Sequence, residues 1–123
     1  MCKEAEKELV VLVTHGIDNE LSSVALVLAC GGITSGQKVS LFLTSAGVDL
    51  VRKRGIDMTH VAPVDPLTQL MDDFRSRGGE IWACPPCVTS RGYTQDDFIE
   101  GVEIVGASKM HEAIKRGAGT ICL

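Results

Sequence analysis

Leu9-Val10-Val11-Leu12-Val13, closed by Thr14-His15-Gly16, is the stretch that decides the architecture. Five consecutive β-compatible apolar residues with no polar alternation fit a strand buried on both faces, the pattern of parallel sheets covered by helices on either side. The run therefore marks a first, central strand. After the turn from Gly16 to Asn19, apolar residues recur at Leu21, Val24, Ala25, Leu28 and Ala29, which predicts a helix with that stripe inward and Gly31-Gly32 as its C-cap. Val39 to Leu43 reads as a second strand. Gly47 to Arg54 reads as a short helix stopping at Gly55, with Arg52, Lys53 and Arg54 complementing its dipole.

Ile56 to Val64 is poorly patterned, with room for a short strand near His60-Val61 that Pro63 would limit. Asp65-Pro66 then reads as N-cap and first-turn proline of a helix carrying the stripe Leu67, Leu70, Met71 and Phe74, which ends at Gly78-Gly79. Met71 and Phe74 are core residues in this reading. Glu80 to Ala83 is the next strand, and it delivers Cys84-Pro85-Pro86-Cys87 at its C-terminal end. A helical turn over Asp96 to Ile99 and a short extended piece over Val102 to Val105 follow. Ser108 is expected to cap a last helix with Met110, Ala113 and Ile114, closed by Lys115, Arg116 and Gly117 before a terminal strand, Thr120 to Leu123. Strands alternating with amphipathic helices give a three-layer α/β sandwich with a mainly parallel five-stranded sheet.

The chain has 123 residues, 45% hydrophobic and 23% charged, which suits one domain over residues 1–123 with one core. A net charge of −4 and few aromatic residues speak against nucleic acid as a partner. The apolar runs fall short of the roughly 20 residues that span a bilayer, so no membrane helix is expected. The charged N-terminus lacks a signal-type apolar stretch, which points to the cytoplasm. No Gly-x-Gly-x-x-Gly or Walker pattern is present, and no organic cofactor is expected. The odd cysteine count of five makes free thiols the default. Cys30 and Cys122 read as buried core thiols and Cys2 as incidental.

In open α/β sheets, sites form beyond the carboxyl ends of the strands, and Cys84 arrives at such an end. Cys-x-x-Cys has three uses. Structural zinc needs four ligands, and a second ligand pair would have to come from a subunit interface, so no metal is assigned. A dithiol redox pair needs Cα atoms within roughly 7 Å. Proline disfavours the α region in the residue before it, so Cys84 and Pro85 lean toward extended geometry that separates the cysteines by about 9 Å. A cis Pro85-Pro86 bond or a helical start at Pro85 would escape that constraint. The third use is one accessible thiolate, Cys84, that accepts and passes on a group, with Arg91 the nearest cation in sequence. His15 closes the first strand on the same sheet edge and joins the candidate site residues. His60 and His111 read as loop and exposed-helix residues.

Gly79 to Cys87, followed by Arg91-Gly92-Tyr93, resembles the DsrE/DsrF-like family of small sulfur-relay proteins. In that family a strand leads into a cysteine, and an Arg-Gly pair follows seven and eight residues later, where Arg91 and Gly92 stand relative to Cys84. The resemblance implies a flavodoxin-like or Rossmann-like fold and assembly with itself into homotrimers or homohexamers. It also implies a sulfurtransferase-type role, with sulfane sulfur held as a persulfide on Cys84 between sulfur donor and acceptor proteins. Cys87 would resolve or protect that persulfide. The Pro-Pro step and Cys87 depart from the family pattern. Two other readings stay open: a Cys84/Cys87 dithiol redox protein, and a non-enzymatic oligomeric ligand-binding or scaffold protein.

Overall fold

The computed structural model describes residues 7–53 and 67–123. The expected strand near His60-Val61, the Asp65-Pro66 helix start and Cys2 lie outside them. Five strands, β1 (Glu8–Val13), β2 (Lys38–Leu43), β3 (Glu80–Ala83), β4 (Val102–Ile104) and β5 (Gly119–Cys122), form one sheet in the order β4-β3-β2-β1-β5. Every pairing is parallel. The sheet centre is β2, and β1 lies one place off it between β2 and β5. The helices are α1 (Glu20–Thr34), α2 (Leu67–Ser76), α3 (Pro85–Ser90) and α4 (Ala107–Lys115).

Alternation along the strands sends side chains to two cores. Leu9, Val11 and Val13 join the larger one with Leu26 of α1 and Met71 and Phe74 of α2. Val10 faces the other way, onto Phe42, Trp82 and Ala113 of α4. Helices thus cover both faces, as a parallel sheet requires to keep its apolar strands from water. The covering is unequal: among the described residues the helix that packs on this side is α4. Thr120 and Cys122 of β5, which share the α4 face with Val10 and Leu12, are exposed. Cys122 is therefore no core thiol: its edge strand reaches past the helix that should bury it.

Helix α1 corrects the sequence reading twice. Its buried face is Ser22, Ser23, Ala25, Leu26, Ala29, Cys30 and Gly32, while Leu21, Val24, Val27 and Leu28 are 36–46% exposed. The helix is apolar nearly all round, so hydropathy does not choose its face; small side chains do, because they let the helix lie close on the sheet. At Gly32 an added Cβ would fall 2.9 Å from Val39 Cγ2 and 3.0 Å from Leu9 Cδ2. For the same reason α1 runs through Gly31-Gly32 to Thr34, and its end is closed by the Gly36 and Gln37 N–H groups donating to the Ile33 and Gly32 carbonyls at 2.9 and 3.0 Å.

Other boundaries shift slightly. The expected helix from Gly47 is a 3-10 segment, Ser45–Val51. Helix α4 starts two residues earlier than expected: Gly106 is its N-cap, with no side-chain cap bond, and Ser108 lies inside its first turn. Its C-terminal end is tied to the start of β1 by Arg116, whose Nε and Nη2 donate to the Glu8 carboxylate at 2.9 and 3.0 Å. That bond holds the Glu8 carboxyl below its ordinary pKa. A depressed carboxylate pKa contributes stability above the unfolded value and loses it as pH falls through the folded one. Glu8→Gln is accordingly expected to unfold at lower urea concentration than wild type at neutral pH, with the gap closing in acid; a gap that is independent of pH would remove the pair from the stability account.

Candidate functional site

Because every strand is parallel, all five C-terminal ends share one sheet edge. Cys84 follows β3 there, and its N–H donates to the Leu43 carbonyl at 2.9 Å, which continues the ladder with β2 for one more residue. Cys84 keeps the extended backbone that a residue before proline prefers, φ −68° and ψ 123°. Pro85 then begins α3 as N1, with Pro86 as N2. Neither proline has an N–H, but the first turn of a helix has no intrahelical use for one. The prolines therefore suit the helix start instead of holding the chain extended. One helical turn brings Cys87 beside Cys84, close enough for each thiol to lie in the other's surroundings. Both cysteines are free thiols and both are half-buried.

The two sulfurs have different surroundings. Cys84 packs on the α4 side, against the cluster of Val10, Phe42, Trp82 and Ala113, whereas Cys87 packs on the larger core. Burial is the main influence on Cys84 and pushes its thiol above the ordinary range, against the pull of the Cys87 N–H, and the nearby Cys87 sulfur pushes the same way. Cys87 Sγ instead accepts the backbone N–H of Ser45 at 3.1 Å. Ser45 has φ +51°, the single positive value at a non-glycine among the described residues.

Arg91 does not reach the thiols through its charge: its Nη1 donates to the Cys87 carbonyl at 3.2 Å, at the end of α3. Gly92, at φ +73°, supplies the left-handed residue after the helix, and the Gly92 and Tyr93 N–H groups donate back to Thr89 and Val88 at 3.0 and 3.1 Å. Tyr93 then donates its hydroxyl to Asp49 Oδ1 at 2.7 Å, with the Arg52 guanidinium 4.6 Å over its ring. The Arg-Gly-Tyr segment thus closes α3 and pins it to the 3-10 segment whose first residue is Ser45.

His15 stands at the end of β1, which β2 separates from β3 by about 10 Å across the sheet. Its Nδ1 lies 3.4 Å from Thr14 Oγ1, and its ring lines a separate cavity of about 290 Å³ with Asp18, Ala46 and Asp49. The edge therefore gathers Cys84, Cys87 and Arg91 in one place and His15 in another. Ser45 escaped the sequence reading because it acts through its backbone, which residue type does not mark; Gly47 two positions on was the one sign of a tight turn. Among the described residues no group of three or more His, Cys, Asp or Glu side chains converges as a metal site, and no helix is long and apolar enough to cross a membrane.

The model of the DsrE/DsrF-like family matches residues 7–123. The chain belongs to this family. The relatives it resembles include the uncharacterized protein MK0008 of Methanopyrus kandleri, 33% identical over 95 residues that cover 77% of this chain and 73% of that one. The uncharacterized protein MJ0989 of Methanocaldococcus jannaschii is 26% identical over 108 residues, covering 88% and 89%. Among solved structures, the ychN protein from E. coli superposes with a TM-score of 0.76 at 18% identity over 97% of this chain and 100% of that one. MTH1491 from Methanobacterium thermoautotrophicum, a protein of unknown function, gives 0.74 at 17% identity over 96% and 100%. These two likenesses speak for the fold.

Proposed function

We propose that this protein is a sulfur carrier that takes sulfane sulfur from a donor and passes it on as a persulfide on Cys84, with Cys87 as its partner thiol. The observation that carries the reading is the pairing of two free thiols at the start of α3, on the sheet edge where α/β proteins place their sites. Membership of the DsrE/DsrF-like family points toward sulfur-relay chemistry. The half-buried position of Cys84 against the cluster of Val10, Phe42, Trp82 and Ala113 suits a persulfide, which survives best when shielded from solvent thiols. The proposal includes self-assembly, with a second copy of the chain covering the exposed apolar residues Leu21, Val24, Val27 and Leu28 of α1. Sulfur donor and acceptor proteins complete the reaction.

Intact-mass analysis tests this reading. Reduced wild type, Cys84→Ser and Cys87→Ser are exposed to a low-molecular-weight persulfide, and the native mass of each sample is recorded alongside. Addition of one sulfur to wild type, mapped by peptide mass to Cys84 and reduced by loss of either cysteine, is expected, on a particle heavier than the 13.1 kDa chain. A second reading, dithiol redox chemistry, is favoured by the placement of two free thiols one helical turn apart at the start of α3. It would show as loss of two hydrogens that requires both cysteines, and no mass change in any protein would sink both readings.

A further inference from the structure

Two thiols share the site, and residue type does not say which of them attacks. Their surroundings do distinguish them: burial is the main influence on Cys84, whereas Cys87 has a backbone donor from another element. The Ser45 N–H meets the Cys87 sulfur at 3.1 Å, and an N–H can only donate, so it stabilises the negative charge that this sulfur carries as it attacks. The contact is held by a rigid turn. The Thr44 N–H donates to the Val13 carbonyl at 3.0 Å and the Gly47 N–H to Thr44 at 2.8 Å. Gly47 lies so close to β1 that an added Cβ would be 2.3 Å from the Val13 oxygen. A serine in the left-handed region persists only where its surroundings over-determine it, and such residues gather at functional sites.

Resting on the sulfur-relay reading above, we propose that Ser45 is a positioning residue: its left-handed backbone aims an N–H at the Cys87 sulfur, which makes Cys87 the thiol that captures incoming sulfane sulfur and Cys84 the thiol that then holds it. In the first step the Cys87 thiolate attacks the outer sulfur of a donor R–S–SH. A bond forms between Cys87 and that sulfur, the donor's S–S bond breaks, and R–S⁻ leaves and takes a proton from water. In the second step the Cys84 sulfur bonds to the same outer sulfur as its bond to Cys87 breaks. The Cys84 proton passes to the departing Cys87 sulfur, so the pair needs no oxidant. The proton moves between neighbouring thiols at the start of α3. Burial, which holds Cys84 in its protonated form, then shields the persulfide it receives.

Alkylation with limiting iodoacetamide at neutral pH, read by peptide mass, tests the order of reactivity. Cys87 is expected to react about tenfold faster than Cys84, the scale of one hydrogen bond to a charged group. Ser45→Gly, the conservative variant that keeps the N–H and eases the backbone, retains that preference. Ser45→Pro, which lacks the N–H and excludes the positive φ, slows Cys87 about tenfold to the level of Cys84. Should Ser45→Pro fail to fold, the single-cysteine comparison decides: the thiol left in Cys84→Ser must react about tenfold faster than the one left in Cys87→Ser. Equal rates, a faster Cys84, or a folded Ser45→Pro with its preference intact would overturn the assignment. No sulfur donor enters this assay. A persulfide that never forms beside an intact alkylation order therefore counts against the relay reading, whereas a reversed order beside normal sulfur uptake counts against the role of Ser45 alone.

Discussion

Gly47→Ala is expected to destabilise the fold by about 3 kcal/mol, at the upper end of what overpacking costs, and to abolish the difference in reactivity between Cys84 and Cys87. The new methyl would sit 2.3 Å from the Val13 carbonyl oxygen and 3.1 Å from its carbon. Both are backbone atoms of an interior strand, so neither can swing away as a side chain would. Relief has to come from the turn itself, and the turn carries the Ser45 N–H that meets Cys87. Urea unfolding followed by far-UV circular dichroism measures the first effect, and competitive alkylation of the folded variant measures the second. A Gly47→Ala protein as stable as wild type, with Cys87 still preferred, would mean that the turn does not hold the site.

Phe74→Ala is expected to cost about 4 kcal/mol, the range for removing a buried aromatic side chain whose surroundings relax only partly. Phe74 is fully buried in the larger core, and its ring occupies the space that a side chain on Gly79 would need. A Cβ on Gly79 would fall within 2.3–2.5 Å of three atoms of that ring. The pair should therefore be strongly non-additive. Gly79→Ala alone destabilises, but in the Phe74→Ala background it adds little further loss, because the methyl enters the cavity already made. A double-mutant cycle by urea unfolding reads the coupling, and additive losses would show that the two positions do not compete for space.

These two glycines show how far the sequence could be read. Strands β1, β2 and β3 were legible because their apolar runs leave no other placement, and α2 because its stripe of Leu67, Leu70, Met71 and Phe74 has polar residues opposite it. Helix α1 was misread for a physical reason. With apolar residues on nearly every side, its inward face is set by how closely small residues let it approach the sheet, and that depends on Leu9 and Val39 of other elements. Cys122 was misplaced because burial of a strand depends on how far the covering helix reaches. At the site, the cysteines and their place on the sheet edge were legible from the end of β3. The first turn of α3 was not, since the same Pro-Pro step is compatible with an extended segment and with a helix start. Ser45 lay beyond reach altogether, because its contribution is made by an atom every residue but proline possesses.

The chain has one tryptophan, Trp82, two residues before Cys84 on the same side of the sheet. Its ring is 2% exposed, meets Phe42 edge-on at 6.2 Å and lies 5.8 Å from Lys109 Nζ, and its indole N–H finds no acceptor among the described residues. A lone indole in so dry a place emits at short wavelength, and sulfur chemistry two residues away changes what surrounds it. The protein is thus expected to carry its own optical gauge: sulfur loading at Cys84 should shift or quench the intrinsic fluorescence of Trp82, without a label on either thiol.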